Sequence, residues 1–177
     1  ITGLDGLLEE LNKDYFLVVL DYDLNNHFDI LEQLPHKEKC ELLINSCCAP
    51  RCPFRSEEYR LVGLQQIAYN EHMKKHPDKP FNMSDYSVDT VKKNIKCPSR
   101  GNNIFDSMKC SHHISPDAIR EKYLPMGYHQ FKIEGRTASK LFLLENYMYY
   151  LMKPECRDEA RFLFLHNLER NGLIKIG

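Results

Sequence analysis

The sequence predicts an α/β fold with a parallel sheet, because strand-like and helix-like runs alternate along it. Three observations carry this expectation. Strand-like runs recur at residues 16–20, 41–45, 109–114 and 129–133. A helix-like run follows each of them, the rhythm that calls for right-handed crossovers between parallel strands. Breakers stand where elements should end: Pro35, Gly127 and Gly172.

The first strand, Phe16-Leu17-Val18-Val19-Leu20, is a continuous apolar block of the kind buried on both faces. It runs into Asp21-Tyr22-Asp23, and a helix over 26–34 precedes Pro35. The second strand, 41–45, leads to Ser46-Cys47-Cys48. Its helix begins near Ser56, read as the N-cap, with Glu57 and Glu58 in the first turn where carboxylates complement the helix dipole. Leu61, Leu64, Ile67 and Ala68 give that helix an apolar stripe.

The third strand, 109–114, is followed by Ser115-Pro116-Asp117, with Ser at the N-cap and Pro at the first helical position. After the fourth strand, 129–133, come helices over 138–152 and 155–171, the last closed by Gly172 as a C′ residue. Four such units make half of an eight-stranded (β/α) barrel or a small open sheet. Residues 1–177 are thus either a single α/β domain or the C-terminal half of a larger barrel. Residues 77–107 are too long for an ordinary connection and are read as an insertion over the site, with a short helix at 84–94.

Lys and Arg number 24 against 25 Asp and Glu, a formal charge of −1, with 42% hydrophobic and 28% charged residues. That balance excludes wholesale disorder and nonspecific coating of nucleic acid. No apolar run approaches the roughly 20 residues of a membrane-spanning helix. The sequence opens on Ile1-Thr2-Gly3 with no charged segment before an apolar one. The expectation is therefore a cytoplasmic chain without a secretory signal, belonging to a longer protein or to a partner that covers the open sheet edges.

Seven cysteines, at 40, 47, 48, 52, 97, 110 and 156, form an odd set that argues against a disulfide scaffold and for thiols serving metals or chemistry. Cys48, Cys52, Cys97 and Cys110 are the expected ligands of a [4Fe–4S] cluster, or alternatively of a tetrahedral zinc. Cys47 can replace Cys48, while Cys40 and Cys156 read as ordinary buried thiols. In parallel α/β proteins chemistry gathers at the carboxyl ends of strands. Asp21, Asp23, Asn45, Arg55, Lys132, Glu134 and Arg136 fall there, with one of His112 and His113 able to face the site. Glu134 with His112 or His113 would supply acid–base function, and Arg55, Lys132 and Arg136 would bind an anionic small molecule or an RNA backbone. Arg51, Lys92, Lys93, Lys96, Arg100 and Lys109 add positive charge around the cysteines. A cysteine nucleophile paired with His112 or His113 is a further alternative.

The stretch Phe131-Lys132-Ile133-Glu134-Gly135-Arg136 resembles the strand end "KIEGR" of the collagenase-like peptidase family. Asn45-Ser46-Cys47-Cys48, Cys52-Pro53-Phe54-Arg55 and Cys110-Ser111-His112-His113 are similar to it in outline. The resemblance covers residues 15–152 and implies the second half of a TIM barrel. It also implies a four-cysteine [4Fe–4S] cluster and a role in hydroxylating tRNA or a quinone precursor, or in proteolysis. The reading from another class is a non-catalytic structural or interaction protein whose cysteines hold zinc or no metal.

Overall fold

Three short strands, β1 (Val18–Val19), β2 (Cys40–Leu43) and β3 (Gln130–Lys132), pair in parallel in the order β1-β2-β3. Val18 stands opposite Cys40, and Leu42 opposite Phe131. The computed structural model describes residues 3–82, 104–135 and 140–175. The chain divides into two units, Ile1–Pro50 with Gly101–Gly177, and Arg51–Arg100.

In the first unit the sheet buries alternate residues. Val18, Leu20, Cys40, Leu42 and Ile44 are in the core. Val19 is half exposed, and Phe16 is 97% exposed. The apolar run at 16–20 is thus not a strand covered on both faces: only its second half enters the sheet, where period-two alternation decides burial. Leu7 and Leu11 join the core from α1 (Gly3–Asn12), a helix the sequence reading did not assign. Its signal was present, since Leu4, Leu7, Leu8 and Leu11 recur at helical spacing. After β1, Asp21 caps a 3₁₀ turn (Tyr22–Leu24) by accepting from the Asp23 N–H, and α2 is only Phe28–Leu31.

The expected third strand is replaced. Residues 109–114 turn after a short helix, α4 (Ile104–Ser107), and reach the sheet through one rung, the Ile114 N–H donating to Ile44 O at 3.1 Å. Among the described residues the sheet therefore has three strands, and a parallel sheet mixed with helices is what stands of the four-unit expectation. Ser115 accepts from the Ala118 N–H and Pro116 opens α5 (Pro116–Ala118), the predicted cap. The chain then widens into a π-helical turn (Ile119–Tyr123), with Leu124 N donating to Ile119 O, and Gly127 takes a positive φ of 97° before β3. α6 (Lys140–Leu151) and α7 (Arg157–Arg170) follow. Gly172 (φ 68°) ends α7 in a Schellman motif, its N–H bonding Glu169 O while the Leu173 N–H bonds Leu168 O.

The second unit is described through α3 (Arg55–Lys75) and the segment after it. Phe54, not Ser56, occupies the N-cap and offers no side-chain cap; Ser56 lies inside the first turn, with Glu57 paired to Arg60. The apolar stripe reduces to Leu61, since Leu64 and Ile67 are exposed. Downstream, Phe81 packs on Tyr69 and His72. Of the expected insertion, 83–103 lies outside the described residues, and the helix at 84–94 with it. No helix among the described residues is long and apolar enough to cross a membrane.

Two asparagines clamp the ends of this first unit. Asn25 Nδ2 donates to Leu43 O and His112 O, both at 2.8 Å, and Asn26, at φ 65°, donates to Ser111 O and His113 O at 2.9 Å. Asn is among the few residues that adopt that backbone at low cost. Asn25 is buried, so Asn25→Ala strands two carbonyls without donors. It should lower unfolding free energy by about 2–4 kcal/mol in urea titrations, against under about 1 kcal/mol for an exposed polar-to-alanine control.

Candidate functional site

Past its last rung, β2 carries Ile44, Asn45, Ser46 and Cys47 to the carboxyl end of the sheet, and β3 carries Glu134 to the same end. Asn45 joins them. Its Oδ1 accepts from the Glu134 N–H at 2.6 Å, and its Nδ2 donates to Glu134 O and to Asn146 Oδ1, each at 2.9 Å. The side chain thus extends the β2–β3 ladder by one step and ties it to α6. Asn146 is itself held by Phe142 O at 2.8 Å. Tyr150, also on α6, places its hydroxyl 3.1 Å from both Ile44 O and Ile114 O, sharing one proton between them.

The Asn45 carbonyl receives the Ser107 hydroxyl at 3.0 Å and the Cys47 thiol at 3.8 Å. Ser107 Oγ stands 3.5 Å from His113 Nδ1, and His113 Nε2 stands 3.3 Å from the Tyr149 hydroxyl. Because Ser107 gives its proton to a carbonyl, His113 donates from Nδ1 and accepts at Nε2 from Tyr149. The order is Tyr149 to His113 to Ser107, ending beside Cys47. His112 turns to the other side: its Nε2 donates to Ser46 O at 3.0 Å, and its buried Nδ1 has no partner. His112 and His113 lie in a turn rather than the expected strand, with His113 beside Cys47's neighbour Ser107.

Partial burial moves each of these groups toward its neutral form. Burial, then the charges of Glu134 and Cys110, push the Cys47 thiol up to about 11; Ser107 opposes them and Cys48 adds to them. Burial and Asp106 raise Cys110, whose thiol donates to Asp106 O at 3.4 Å. Burial, reinforced by His112, pushes His113 down to about 4. Glu134 is exposed as a residue, yet crowding around its carboxyl raises it against the opposing charge of Lys132.

The expected residues therefore fall in several places. Cys48 and Cys110 lie in the first unit with Cys47, within electrostatic reach of it. Cys52 and Arg55 lie in the second unit. Cys97 and Arg136 lie outside the described residues, as do Lys92, Lys93, Lys96 and Arg100. Among the described residues, no group of three or more His, Cys, Asp or Glu is arranged to hold a metal ion. Lys132 pairs with Glu41 across the sheet at 3.1 Å, and Lys109 with Asp106 at 3.5 Å. Cys40 is buried as expected, with its thiol pushed up to about 11 by burial, whereas Cys156 is exposed. Residue-by-residue reading missed Ser107, Asn146, Tyr149 and Tyr150. Asn146 was detectable as a lone amide inside the otherwise apolar Leu141–Leu144 and Tyr147–Leu151 surroundings; the others become significant only through contacts distant in sequence.

The depressed His113 pKa has a definite sign. Between about 4 and 6.5 the unfolded ring binds a proton that the native ring refuses, so stability falls as pH falls through that window. The raised Glu134 acts oppositely: its stabilisation is present at low pH and lost as pH rises through its folded value. His113→Gln should flatten the loss of stability on acidification from pH 6.5 to about 4, read from urea midpoints. A slope equal to that of the unsubstituted protein would show that His113 is protonated in the folded state.

Among proteins of known sequence, the chain is similar to an uncharacterized protease of Methanocaldococcus jannaschii, 31% identical over 65 residues. The matched stretch is 36% of this chain and 20% of that protein, so the chain spans about a fifth of the length of the relative it matches. No family model matches the chain. No solved structure matches it.

Proposed function

We propose that this chain is a cysteine-ligated metal protein, kin to the collagenase-like peptidases and built as part of a TIM barrel, acting on an anionic small molecule or on RNA. The observation that supports the reading is that Cys48 and Cys110 lie in the first unit within electrostatic reach of Cys47. A metal brought to such thiols would bind them as thiolates and release their protons. The similarity to an uncharacterized protease supports kinship with peptidase-like proteins.

Cys48, Cys52, Cys97 and Cys110 are the ligand set the sequence offers, with Cys47 as the substitute for Cys48. The group they would hold is a [4Fe–4S] cluster, with zinc as the alternative; a cluster would supply redox or Lewis-acid chemistry. The chain's own residues then divide the remaining work. Glu134, raised by crowding, retains a proton to donate closer to neutral pH than an ordinary carboxyl. His113, kept neutral by burial, accepts at Nε2 and holds Ser107 through Nδ1. Lys132, with Arg55 and Arg136, supplies positive charge for an anionic substrate.

Metal analysis of anaerobically purified chain tests this. Iron with labile sulfide and a brown chromophore is the expected result, and Cys110→Ala should lose most of the metal while Cys156→Ala keeps it. Stoichiometric zinc without iron would replace the cluster by the zinc alternative. Absence of both, from protein expressed with iron and zinc supplied, overturns the proposal.

A further inference from the structure

In the second unit, α3 ends in two histidines one turn apart. Pro77 disfavours helix at the residue before it, so the helix stops at Lys75 and His76 becomes its C-cap, at φ −139° and ψ 65°. His72 and His76 are spaced as neighbours on one helix face. Their ring centres lie 5.4 Å apart. The chain then folds back: the Lys79 N–H donates to His76 O at 3.1 Å, and this turn brings the Lys79 carbonyl to His72.

That turn sets the state of one ring. A carbonyl only accepts, so His72 Nε2, 3.1 Å from Lys79 O, carries the proton and Nδ1 holds the lone pair. Phe81 meets the same ring edge-on, with centres 5.5 Å apart, and holds its plane. A metal-ligating imidazole characteristically has such an outer partner, its second N–H on a carbonyl that fixes tautomer and orientation. Bonds of about 2.0–2.1 Å from one tetrahedral ion to two imidazole nitrogens put the ring centres at about the observed separation. The carbonyl end of α3 adds a negative partial charge beside the pair. Nearby in sequence, Lys74, Lys75 and Lys79 outnumber Glu71 and Asp78, which weakens cation binding, but exposed charges are screened by salt. Among the described residues no group of three or more His, Cys, Asp or Glu forms there, so water completes the coordination.

We propose that His72 and His76 form a two-imidazole site for a divalent transition-metal ion of the zinc class, with His72 binding through Nδ1. Two independent features converge on it: imidazoles juxtaposed across one helical turn, and a backbone carbonyl that fixes the tautomer of one of them. Imidazole selects zinc, nickel and copper over magnesium and calcium, which prefer oxygen. A bound ion would cross-link the last turn of α3 and hold the following turn against it. The site is made by the second unit alone and does not depend on the cysteines holding a metal.

Titration of the full chain with Zn²⁺, followed by the NMR shifts of the histidine ring nitrogens, tests it at the site itself. The rings of His72 and His76 should move together along one binding curve, and Mg²⁺ should move neither. His76→Asn, an exposed substitution, should weaken the zinc response of His72 at least about tenfold, because the second ligand then no longer binds intramolecularly. His129→Asn, at an exposed position outside the second unit, should leave both rings responding as before. A response from one ring only, from neither, equally to Mg²⁺, or undiminished in His76→Asn overturns the proposal. Should His76→Asn fail to fold, the two-ring response of the unsubstituted chain to zinc against magnesium still decides. Cys110→Ala should leave that response unchanged, so this proposal and the cysteine–metal reading fail separately.

Discussion

The first unit depends on one buried amide continuing a sheet that is otherwise too short. Its strands are two to four residues long, and the ladder between β2 and β3 would end at Leu43 and Lys132. Ile44 N adds a bond to Lys132 O, and then the Asn45 carboxamide takes over, pairing with both the N–H and the carbonyl of Glu134. A side-chain amide presents a donor and an acceptor in one plane, so it can imitate a peptide group. With the backbone satisfied by that imitation, the chain can leave the strand direction at Asn45 without leaving Glu134's polar groups stranded.

That substitution also determines where the chemistry sits. Because the Asn45 side chain occupies the ladder, its own carbonyl is free to receive Ser107 and Cys47. Asn146 and Tyr150 then bring α6 against the same strand end, and Tyr149, next to Tyr150 on that helix, reaches His113. The arrangement is a polar cluster in which most groups have named partners. Such a cluster specifies one packing, because half-satisfied alternatives carry the full desolvation cost of each orphaned group.

Much of this was legible as position and little of it as contact. The strands ending at Val19, Leu43 and Lys132 were readable to within one or two residues because apolar runs give way there to polar residues, and the Ser115-Pro116 cap and Gly172 terminus follow from local backbone chemistry alone. The run at 109–114 misled because Ile114 is a core residue without a strand around it: one hydrogen bond to Ile44 places it. Phe16 misled for the opposite reason, an apolar residue left in solvent in a run whose Val18 and Leu20 are buried. On α3, good helix formers extend the helix without a buried stripe, so periodicity overstated its amphipathicity. Ser107, Tyr149 and His113 meet across intervals of 6 and 36 residues, and no local pattern encodes such a meeting.

The electrostatics of the cluster follow from the same packing. A thiol raised to about 11, an imidazole lowered to about 4 and a carboxyl raised by crowding all report one condition, a site that disfavours isolated charge. This argues against an ion pair between Cys47 thiolate and His113 imidazolium as the resting state, since both members are displaced toward neutrality. A cysteine nucleophile activated in that manner needs the reverse shifts, a thiol lowered beside a protonated imidazole. A cation brought to the thiols changes the balance differently. It lowers each thiol pKa at once and displaces protons rather than demanding charge from an imidazole. In these surroundings the resting Cys47 thiol is a protonated, partly buried group rather than a poised nucleophile.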